Sequence, residues 1–302
     1  MPYTTDGLVL RMRKVGENDK LLTLLTPKEG RISVLVKGGR SLKSGSLSAT
    51  ELFTYGNYEI TDKNGYKWLR GASSECQFPE ISRSVEKVAL ASYIAEVSEE
   101  LSGENEPAEE ILRLALNTFY AIDKDKRPLI QIKSAFELRA ASLSGFMPDF
   151  HACAGCGCEV SEAIYLDVMN GRLLCSECMH RASLSAKREM ATYEDIREAM
   201  VMLPLSASVL CAVRYIISAE PSRILAFTLE EHELDGLAKV SETYLLSHLG
   251  HGFDTLDFYK MILSVVADNS EVITIHNTIK EIQQNLSKLK EIEERIYMRH
   301  FL

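Results

Sequence analysis

Two Cys-x-x-Cys pairs constrain the fold of this chain more than any other feature of its sequence. Cys153 pairs with Cys156 and Cys175 with Cys178, and 18 residues separate the two pairs. Two residues between ligands let both sulfurs face one ion, and the spacing matches that of structural zinc ribbons. We therefore predict one structural Zn²⁺ ion bound by these four cysteines. Because four thiolates leave no open coordination position, we expect the ion to stabilise the fold and not to catalyse a reaction.

Other cysteines and histidines leave alternatives open. Cys158 is either a buried thiol or an oxidation-sensitive one, and His151 or His180 can replace a sulfur as ligand. Cys76 and Cys211 lie in apolar stretches and are expected to be buried as small hydrophobic residues. Seven cysteines in 302 residues are too few for a disulfide scaffold.

Charge is distributed unevenly along the chain. The formal net charge is −9, yet residues 1–50 hold nine Lys and Arg against four Asp and Glu. This segment therefore carries +5 and the remaining residues −14. Such asymmetry predicts one basic face on an acidic body, which is typical of proteins that bind polyanions. The alternatives are a solvated surface without a partner, or a nucleic-acid contact made by the cysteine module through Arg172 and Arg181.

Residues 7–72 have the pattern of short strands separated by turns. In GLVLRMRK, alternation predicts two faces, Leu8, Leu10 and Met12 on one and Val9, Arg11 and Arg13 on the other. About five strands over roughly 70 residues favour a small closed barrel or a sandwich. The segment KGGRSLKSGS, which follows the third strand, is rich in Gly and Ser and is expected to be an exposed, mobile loop.

The hydrophobic period becomes helical from about residue 80, and helices are expected on both sides of the cysteine module. TYEDIREAMVML, after the module, is among the predicted helices. The predicted fold class is multidomain α+β, with an N-terminal β-barrel, a helical body, an inserted zinc module and an extra C-terminal helix. The expected domain limits are 1–80 for the barrel, 81–150 with 183–260 for the body, 151–182 for the zinc module, and 261–302 for the C-terminal extension.

The C-terminal extension has an apolar seam with heptad spacing, broken at Glu293. Its members are Ile275, Ile279, Ile282, Leu286, Leu289 and Ile296. This pattern favours a helical hairpin or a short coiled coil. It serves either as a dimerisation segment or as a helix packed on its own body.

Motifs typical of enzymes are absent from the sequence. KGGRSLKSG lacks the spacing of a phosphate-binding P-loop, and neither G-x-S-x-G nor H-E-x-x-H occurs. We therefore expect a protein that is not an enzyme. The sequence has no run of 18 apolar residues and no signal peptide, so we also expect it to be cytoplasmic.

Three separated strings resemble the RecO recombination-mediator family. They are LVLRMRKVGENDKLLTLLTPKEGRISVLVKGGRSLKS, AFELRAASLSGFMPDFHACAGCG, and FDTLDFY. The resemblance covers about residues 1–260, and the residues after about 262 extend beyond the usual end of the family. It implies an oligonucleotide-binding (OB) fold, a helical bundle and a zinc ribbon.

The resemblance also implies a function in recombinational repair. RecO-like proteins bind single- and double-stranded DNA and anneal complementary strands without ATP. They engage the acidic C-terminal tail of the single-strand-binding protein SSB, and with their partner RecR they help to load RecA onto SSB-coated DNA. The implied location is the bacterial cytoplasm, in association with the nucleoid.

The residues offer a physical basis for DNA binding. The cations expected to follow phosphates are Arg11, Lys14, Lys37, Arg40 and Lys43. The aromatic residues expected to stack bases are Tyr58, Tyr66 and Trp68, although alternation with Lys67 and Leu69 also permits a core position for Trp68. Arg139 is a candidate contact for the SSB tail, or else a helix arginine paired with an acid such as Glu137.

Two other functions remain open from the sequence. One is a zinc-stabilised interaction scaffold that engages the SSB tail and contacts DNA only secondarily. The other is a metal-dependent enzyme, which requires an open position on the zinc ion.

Overall fold

The structure is a computed structural model that describes residues 2–38, 47–159, 163–189 and 201–268. The strands of the described residues are β1 (Pro2–Val15), β2 (Asp19–Thr26), β3 (Gly30–Val36), β4 (Tyr55–Lys63), β5 (Tyr66–Cys76), β6 (Asp149–Cys153), β7 (Ile164–Asp167), β8 (Arg172–Cys175) and β9 (Met202–Leu205). The helices are α1 (Val85–Glu100), α2 (Glu109–Asp123), α3 (Leu129–Leu143), α4 (Ser176–Glu189), α5 (Ala207–Ser218), α6 (Glu231–Leu249) and α7 (Asp254–Asp268). The described residues contain no helix that is both long and apolar enough to cross a membrane.

The first five strands form a closed barrel in the order β1-β2-β3-β5-β4. All neighbours are antiparallel except β3 and β5, which pair in parallel over Val34 with Lys67 and Leu35 with Trp68. A five-stranded closed barrel confirms the expected OB-like domain. We call the short parallel pairing of β3 with β5 the barrel seam.

A β-bulge in β1 corrects the predicted alternation. The register with β2 shifts between Val9 and Arg11, so one residue is left unpaired. Val9, before the bulge, lies in the barrel core, and Met12, after the bulge, packs against the same core. Simple alternation predicts opposite faces for these two residues. The prediction fails because a bulge reverses the side of every residue that follows it.

The barrel packs against the helical body through the turn between β2 and β3. The backbone of Arg31 donates a hydrogen bond of 3.1 Å to Gly103 O, and Asn105 donates one of 2.8 Å to Glu29 O. Gly30, between them, has a φ of +63°, and a Cβ atom there would lie 2.1 Å from Gly103 O. Only glycine fits this close approach.

The helical body contains a buried polar network that joins three helices. Glu137 of α3 accepts hydrogen bonds from Tyr93 Oη of α1 at 2.7 Å and from Ser241 Oγ of α6 at 2.6 Å. Lys133 Nζ lies 2.8 Å from carboxylate oxygens of both Glu137 and Glu242. Burial alone would lower the pKa of Lys133, but the two carboxylates raise it. The network fixes how these helices align.

The cysteine module is built on a second sheet with the order β6-β8-β7-β9. Helix α4 begins at Ser176, directly after β8, and continues to Glu189. The helix predicted for TYEDIREAMVML is corrected at its end, since Met202–Leu205 form strand β9, which pairs with β7. The rest of that predicted helix, up to residue 200, lies outside the described residues.

The chain divides into two compact units, Met1–Tyr259 and Lys260–Leu302. The first unit contains the barrel, the helical body and the cysteine module. The predicted heptad seam, from Ile275 to Ile296, lies outside the described residues. The expected domain limits remain predictions.

Candidate nucleic-acid interface and metal site

A surface groove of about 460 Å³ lies beside the barrel seam. We call it the barrel groove. Its lining residues are Lys37, Thr61, Lys63, Asn64, Tyr66, Trp68, Leu69 and Arg70. Three of these side chains are cationic, two are aromatic and none is acidic. A cationic groove with exposed rings suits a single-stranded nucleic acid, because cations bind its phosphates and aromatic rings stack on its bases.

The aromatic side chains of the barrel groove are accessible. Tyr66 is 68% exposed. Trp68 is half-buried, and Lys37 Nζ lies 5.3 Å from the centre of its ring. The structure thus places Trp68 at the surface of the barrel and not in its core, next to a cation predicted to bind DNA.

Lys63 and Arg70 line the barrel groove but were not among the predicted site residues. Tyr66, Trp68 and Arg70 alternate along β5, and this period of two could have indicated a shared face. Lys63 pairs with Tyr66 across the β4–β5 hairpin. Arg70 Nε donates a hydrogen bond of 3.2 Å to Thr61 Oγ1, so its guanidinium is held at the rim.

Tyr58 is a wrong prediction. Its side chain is fully buried within the barrel core. The hydroxyl donates a hydrogen bond of 2.7 Å to Ala49 O, and burial raises its pKa. No base can stack on this ring, because even-numbered residues at this point of β4 face the barrel interior.

The other predicted DNA contacts are dispersed. Arg11 forms an ion pair of 2.8 Å with Glu99 of the helical body, whereas Lys14 is exposed near the end of β1. Neither lines the barrel groove. Arg40 and Lys43 lie outside the described residues. Of the three predicted cations that the structure describes, Lys37 lies beside Trp68, whereas Arg11 and Lys14 do not line the barrel groove.

Arg139, the candidate contact for the SSB tail, has a structural partner. Its Nη1 donates a hydrogen bond to the carbonyl oxygen of Ile217, in the last turn of α5. A guanidinium in this position satisfies a carbonyl at the helix C-terminus. The structure gives this interaction in place of the alternative pairing with Glu137.

The sulfur atoms of the four predicted metal ligands form one compact cluster. The sulfurs of Cys153, Cys156, Cys175 and Cys178 all lie within 4.8 Å of one another. The Cys156 and Cys175 sulfurs are 3.8 Å apart. A tetrahedral ion with metal–sulfur bonds of about 2.3 Å requires roughly this sulfur–sulfur distance. The four cysteines therefore fit a single tetrahedral metal ion.

The polypeptide around Cys153 stabilises the thiolate form of this ligand. Burial alone would raise the pKa of Cys153, but hydrogen bonds from backbone N–H groups, first among them that of Cys175, lower it to about 6. The Cys175 N–H to Cys153 Sγ distance is 3.2 Å. Gly157 has a φ of +75°, a conformation that favours glycine and turns the backbone directly after Cys156.

The remaining side chains near the site do not complete it. Cys158 packs against the sulfur cluster without belonging to it, and His151 and His180 are exposed. Arg172 pairs with Asp167 at 3.1 Å, and Arg181 donates to Cys178 Sγ at 2.9 Å. Both arginines thus have partners inside the module. Away from it, Cys76 and Cys211 are exposed, which corrects the expectation that they are buried.

Gly155 offers a test of the site. A Cβ atom at this position would lie 2.7 Å from Cys178 Sγ, so Gly155→Ala is expected to displace that sulfur. We expect metal affinity to fall by about 10- to 100-fold, the usual effect of disturbing the shell around the ligands. Competition with a chromophoric chelator measures this. Ala154→Ser, at the exposed neighbouring position, is the control; equal affinity of both variants would contradict the geometry.

Two family models match successive parts of the chain. Residues 1–77 match the model for the N-terminal region of recombination protein O, and residues 82–257 match the model for its C-terminal region. The chain belongs to the RecO family. The expected family, with its N-terminal barrel and helical body, is thereby confirmed.

Curated relatives in the RecO family extend over most of the chain. One is the DNA repair protein RecO of Acetivibrio thermocellus, 28% identical over 258 residues, which are 85% of this chain and 96% of the relative. Another is the DNA repair protein RecO of Alkaliphilus metalliredigens, 26% identical over 263 residues, which are 87% of this chain and all of the relative. That of Anaeromyxobacter sp. (strain K) is 33% identical over 175 residues, 57% of this chain and 68% of the relative.

Proposed function

We propose that this chain is a DNA-binding recombination mediator that holds single-stranded DNA in the barrel groove. The observation that supports this most strongly is the presence of Trp68, Tyr66 and three cations in one groove without an acid. Phosphates contact the cations and release counterions, while bases stack on the rings. Membership of a family of recombination and repair proteins supports the same assignment.

The finer functions rest on the family resemblance. They are binding of double-stranded DNA, annealing of complementary strands, and loading of RecA onto SSB-coated DNA together with RecR, in the cytoplasm near the nucleoid. A groove that contacts backbone and ring faces, without reading base edges, suits annealing because it tolerates any sequence. The scaffold alternative is not favoured, since the guanidinium of Arg139 already bonds to Ile217 O.

We further propose that the metal of the four-cysteine site is zinc with a structural role. Four thiolates in tetrahedral proximity are the ligands that Zn²⁺ takes in closed structural sites. The ion would neutralise the sulfurs and hold β6, β8 and the start of α4 together. With four protein ligands it retains no position for a substrate.

A variant in which the three cations of the barrel groove are replaced by neutral residues tests DNA binding. Lys37→Gln, Lys63→Gln and Arg70→Gln together are expected to weaken single-strand binding and to reduce the salt slope of log K by about 2, or 0.7 for each lost phosphate contact. Trp68 is the only tryptophan in the chain, so quenching of its fluorescence reports occupancy of the groove directly. A salt titration of this quenching measures the slope.

The control carries the same change of net charge elsewhere. Lys28→Gln, Arg113→Gln and Lys239→Gln remove three exposed cations that do not line the barrel groove. This variant is expected to retain the wild-type slope. If both triple variants lose affinity equally, or if neither does, the barrel groove is not the binding site.

A further inference from the structure

Lys67 lies next to Trp68 on β5, but its side chain makes different contacts. Successive side chains of a strand point to opposite faces, and Trp68 lines the barrel groove whereas Lys67 does not. Lys67 Nζ instead lies 2.8 Å from Glu29 Oε2 and 3.0 Å from Tyr3 Oη. Tyr3 Oη in turn donates a hydrogen bond of 3.1 Å to the same carboxylate oxygen. We call Tyr3, Glu29 and Lys67 the Lys67 triangle.

The Lys67 triangle is largely shielded from solvent. The side chains of Lys67 and Glu29 are 22% and 27% exposed, and Lys67 Nζ lies 5.3 Å from the centre of the Tyr3 ring. Burial alone would lower the pKa of Lys67, but its bonds to Glu29 and Tyr3 raise the pKa to about 12. Asp62 pairs with Lys67 across the β4–β5 hairpin, yet the described residues show no ion pair between their side chains. Glu29 is therefore the acid that holds the ammonium group.

The Lys67 triangle lies at the same junction as the barrel seam. The seam has only two residue pairs, one of which contains Lys67 and the other Trp68. Strand β3 begins directly after Glu29, so the ion pair is a side-chain link between β5 and the start of β3. Lys37, whose Nζ lies near the Trp68 ring, directly follows the other end of β3. The ion pair therefore supplements a short backbone junction that borders the barrel groove.

Glu29 is itself held in place by the helical body. The backbone N–H of Asn105 donates a hydrogen bond of 2.8 Å to Glu29 O. In the same turn, Pro27 O accepts one of 3.0 Å from the N–H of Ala108. A supporting residue orients a binding site well when its own position is fixed by further hydrogen bonds. The anchored turn thus offers Lys67 a partner in a fixed position.

We propose that Lys67 is a positioning residue for the barrel groove. Its ion pair with Glu29 fixes β5 against β3, and this holds Trp68 beside Lys37, where both side chains meet a nucleic-acid strand. Lys67 itself makes no contact with phosphate. The inference rests on the proposed DNA binding, and it identifies contacts outside the barrel groove on which the shape of the groove depends.

Glu29→Gln separates positioning from simple electrostatics. If net charge alone matters, removal of an acid strengthens the binding of a polyanion. If Glu29 holds Lys67 in place, the same substitution weakens binding. We expect single-strand affinity to fall about threefold to tenfold, in proportion to the fraction of molecules that keep the groove intact. Fluorescence anisotropy of a labelled oligothymidine measures the affinity.

Glu104→Gln is the matched control for this variant. Glu104 is an exposed acid of the neighbouring segment of the body and lies outside the Lys67 triangle. The substitution makes the same change of net charge, and we expect the variant to bind DNA no more weakly than wild type. Equal affinities of Glu29→Gln and Glu104→Gln overturn the positioning role.

Lys67→Met tests the other end of the ion pair. We expect it to lose affinity as Glu29→Gln does but to keep the wild-type salt slope of log K, because no phosphate contact is lost. Lys63→Met, inside the barrel groove, is the contrasting variant and is expected to reduce the slope by about 0.7. Lys67→Arg keeps the charge and the hydrogen-bond donors, and it is expected to retain wild-type affinity. A reduced slope for Lys67→Met shows a direct phosphate contact and contradicts the proposal.

Trp68 reports on its own position in the absence of DNA. In Glu29→Gln and Lys67→Met, acrylamide is expected to quench its fluorescence more strongly than in wild type or Glu104→Gln, because the ring is no longer held beside Lys37. If Lys67→Met fails to fold, quenching and affinity of Glu29→Gln still decide the question. These results overturn the positioning role alone if the triple groove variant still loses binding, whereas a wild-type protein that does not bind the oligothymidine overturns both proposals.

Discussion

Cys175→Ser is expected to abolish zinc binding and to unfold the small sheet around the four-cysteine site. Cys175 ends β8, immediately precedes α4, and provides both a sulfur and the N–H that bonds to Cys153 Sγ. Its loss removes a ligand from a site whose metal contributes an apparent folding free energy of about 10–16 kcal/mol in small zinc modules. Metal content measures the first effect, and protease sensitivity of residues 149–189 measures the second.

Cys158→Ser is the matched control for this experiment. Cys158 packs against the same cluster, yet its sulfur is not one of the four that meet. We expect this variant to retain one zinc ion per chain and the protease resistance of wild type. Equal metal loss from both variants would show that the ligand set is wrong. A Cys175→Ser protein with full metal content would contradict the structural role of the site.

Lys133→Met is expected to destabilise the helical body by about 3–5 kcal/mol. The substitution leaves Glu137, whose side chain is 0% exposed, without the ammonium group 2.8 Å away. A buried carboxylate without a counter-ion must either remain charged at high cost or take up a proton. Its hydrogen bonds from Tyr93 and Ser241 cannot replace the lost charge. Urea unfolding followed by helical circular dichroism measures the change.

The double variant Lys133→Met with Glu137→Gln separates loss of charge pairing from loss of packing. Replacing Glu137 eliminates the fully buried carboxylate, since Glu242, the other partner of Lys133, is partly exposed. The amide oxygen still accepts a hydrogen bond from Tyr93 or Ser241. We expect the double variant to be more stable than Lys133→Met alone, since buried ion pairs often lose little when both members are replaced. If the double variant is the less stable of the two, packing and not charge accounts for the effect.

Local patterns were sufficient to predict the metal site and most of the barrel. The cysteine spacing determines which sulfurs can meet, because two residues between ligands allow only a tight turn. Strand alternation and turn residues likewise act over a few residues. The same local logic predicted Trp68 as a DNA contact but could not decide whether it faces solvent, since this depends on the pairing of β5 with β3.

The features that the sequence could not reveal involve contacts between residues distant in the sequence. Tyr58 has the composition of a stacking residue, but the register of β4 turns it inward. Arg11 lies on a basic strand, yet Glu99, which is 88 positions further along, neutralises it only once the body packs on the barrel. The bulge after Val9 leaves no mark in the hydrophobic pattern. Met202–Leu205 became a strand because β7 was available as a partner.

We expect a ligand bound at the barrel seam to oppose the separation of β3 from β5. Only Val34 with Lys67 and Leu35 with Trp68 pair there, whereas the antiparallel neighbours pair over most of their length. Lys37 directly follows β3 and Trp68 lies in β5, so a ligand on both side chains would bridge the two sides of this short junction. By mass action it would suppress their separation, so amide hydrogens of β3 and β5 should exchange more slowly with solvent deuterium when DNA is bound.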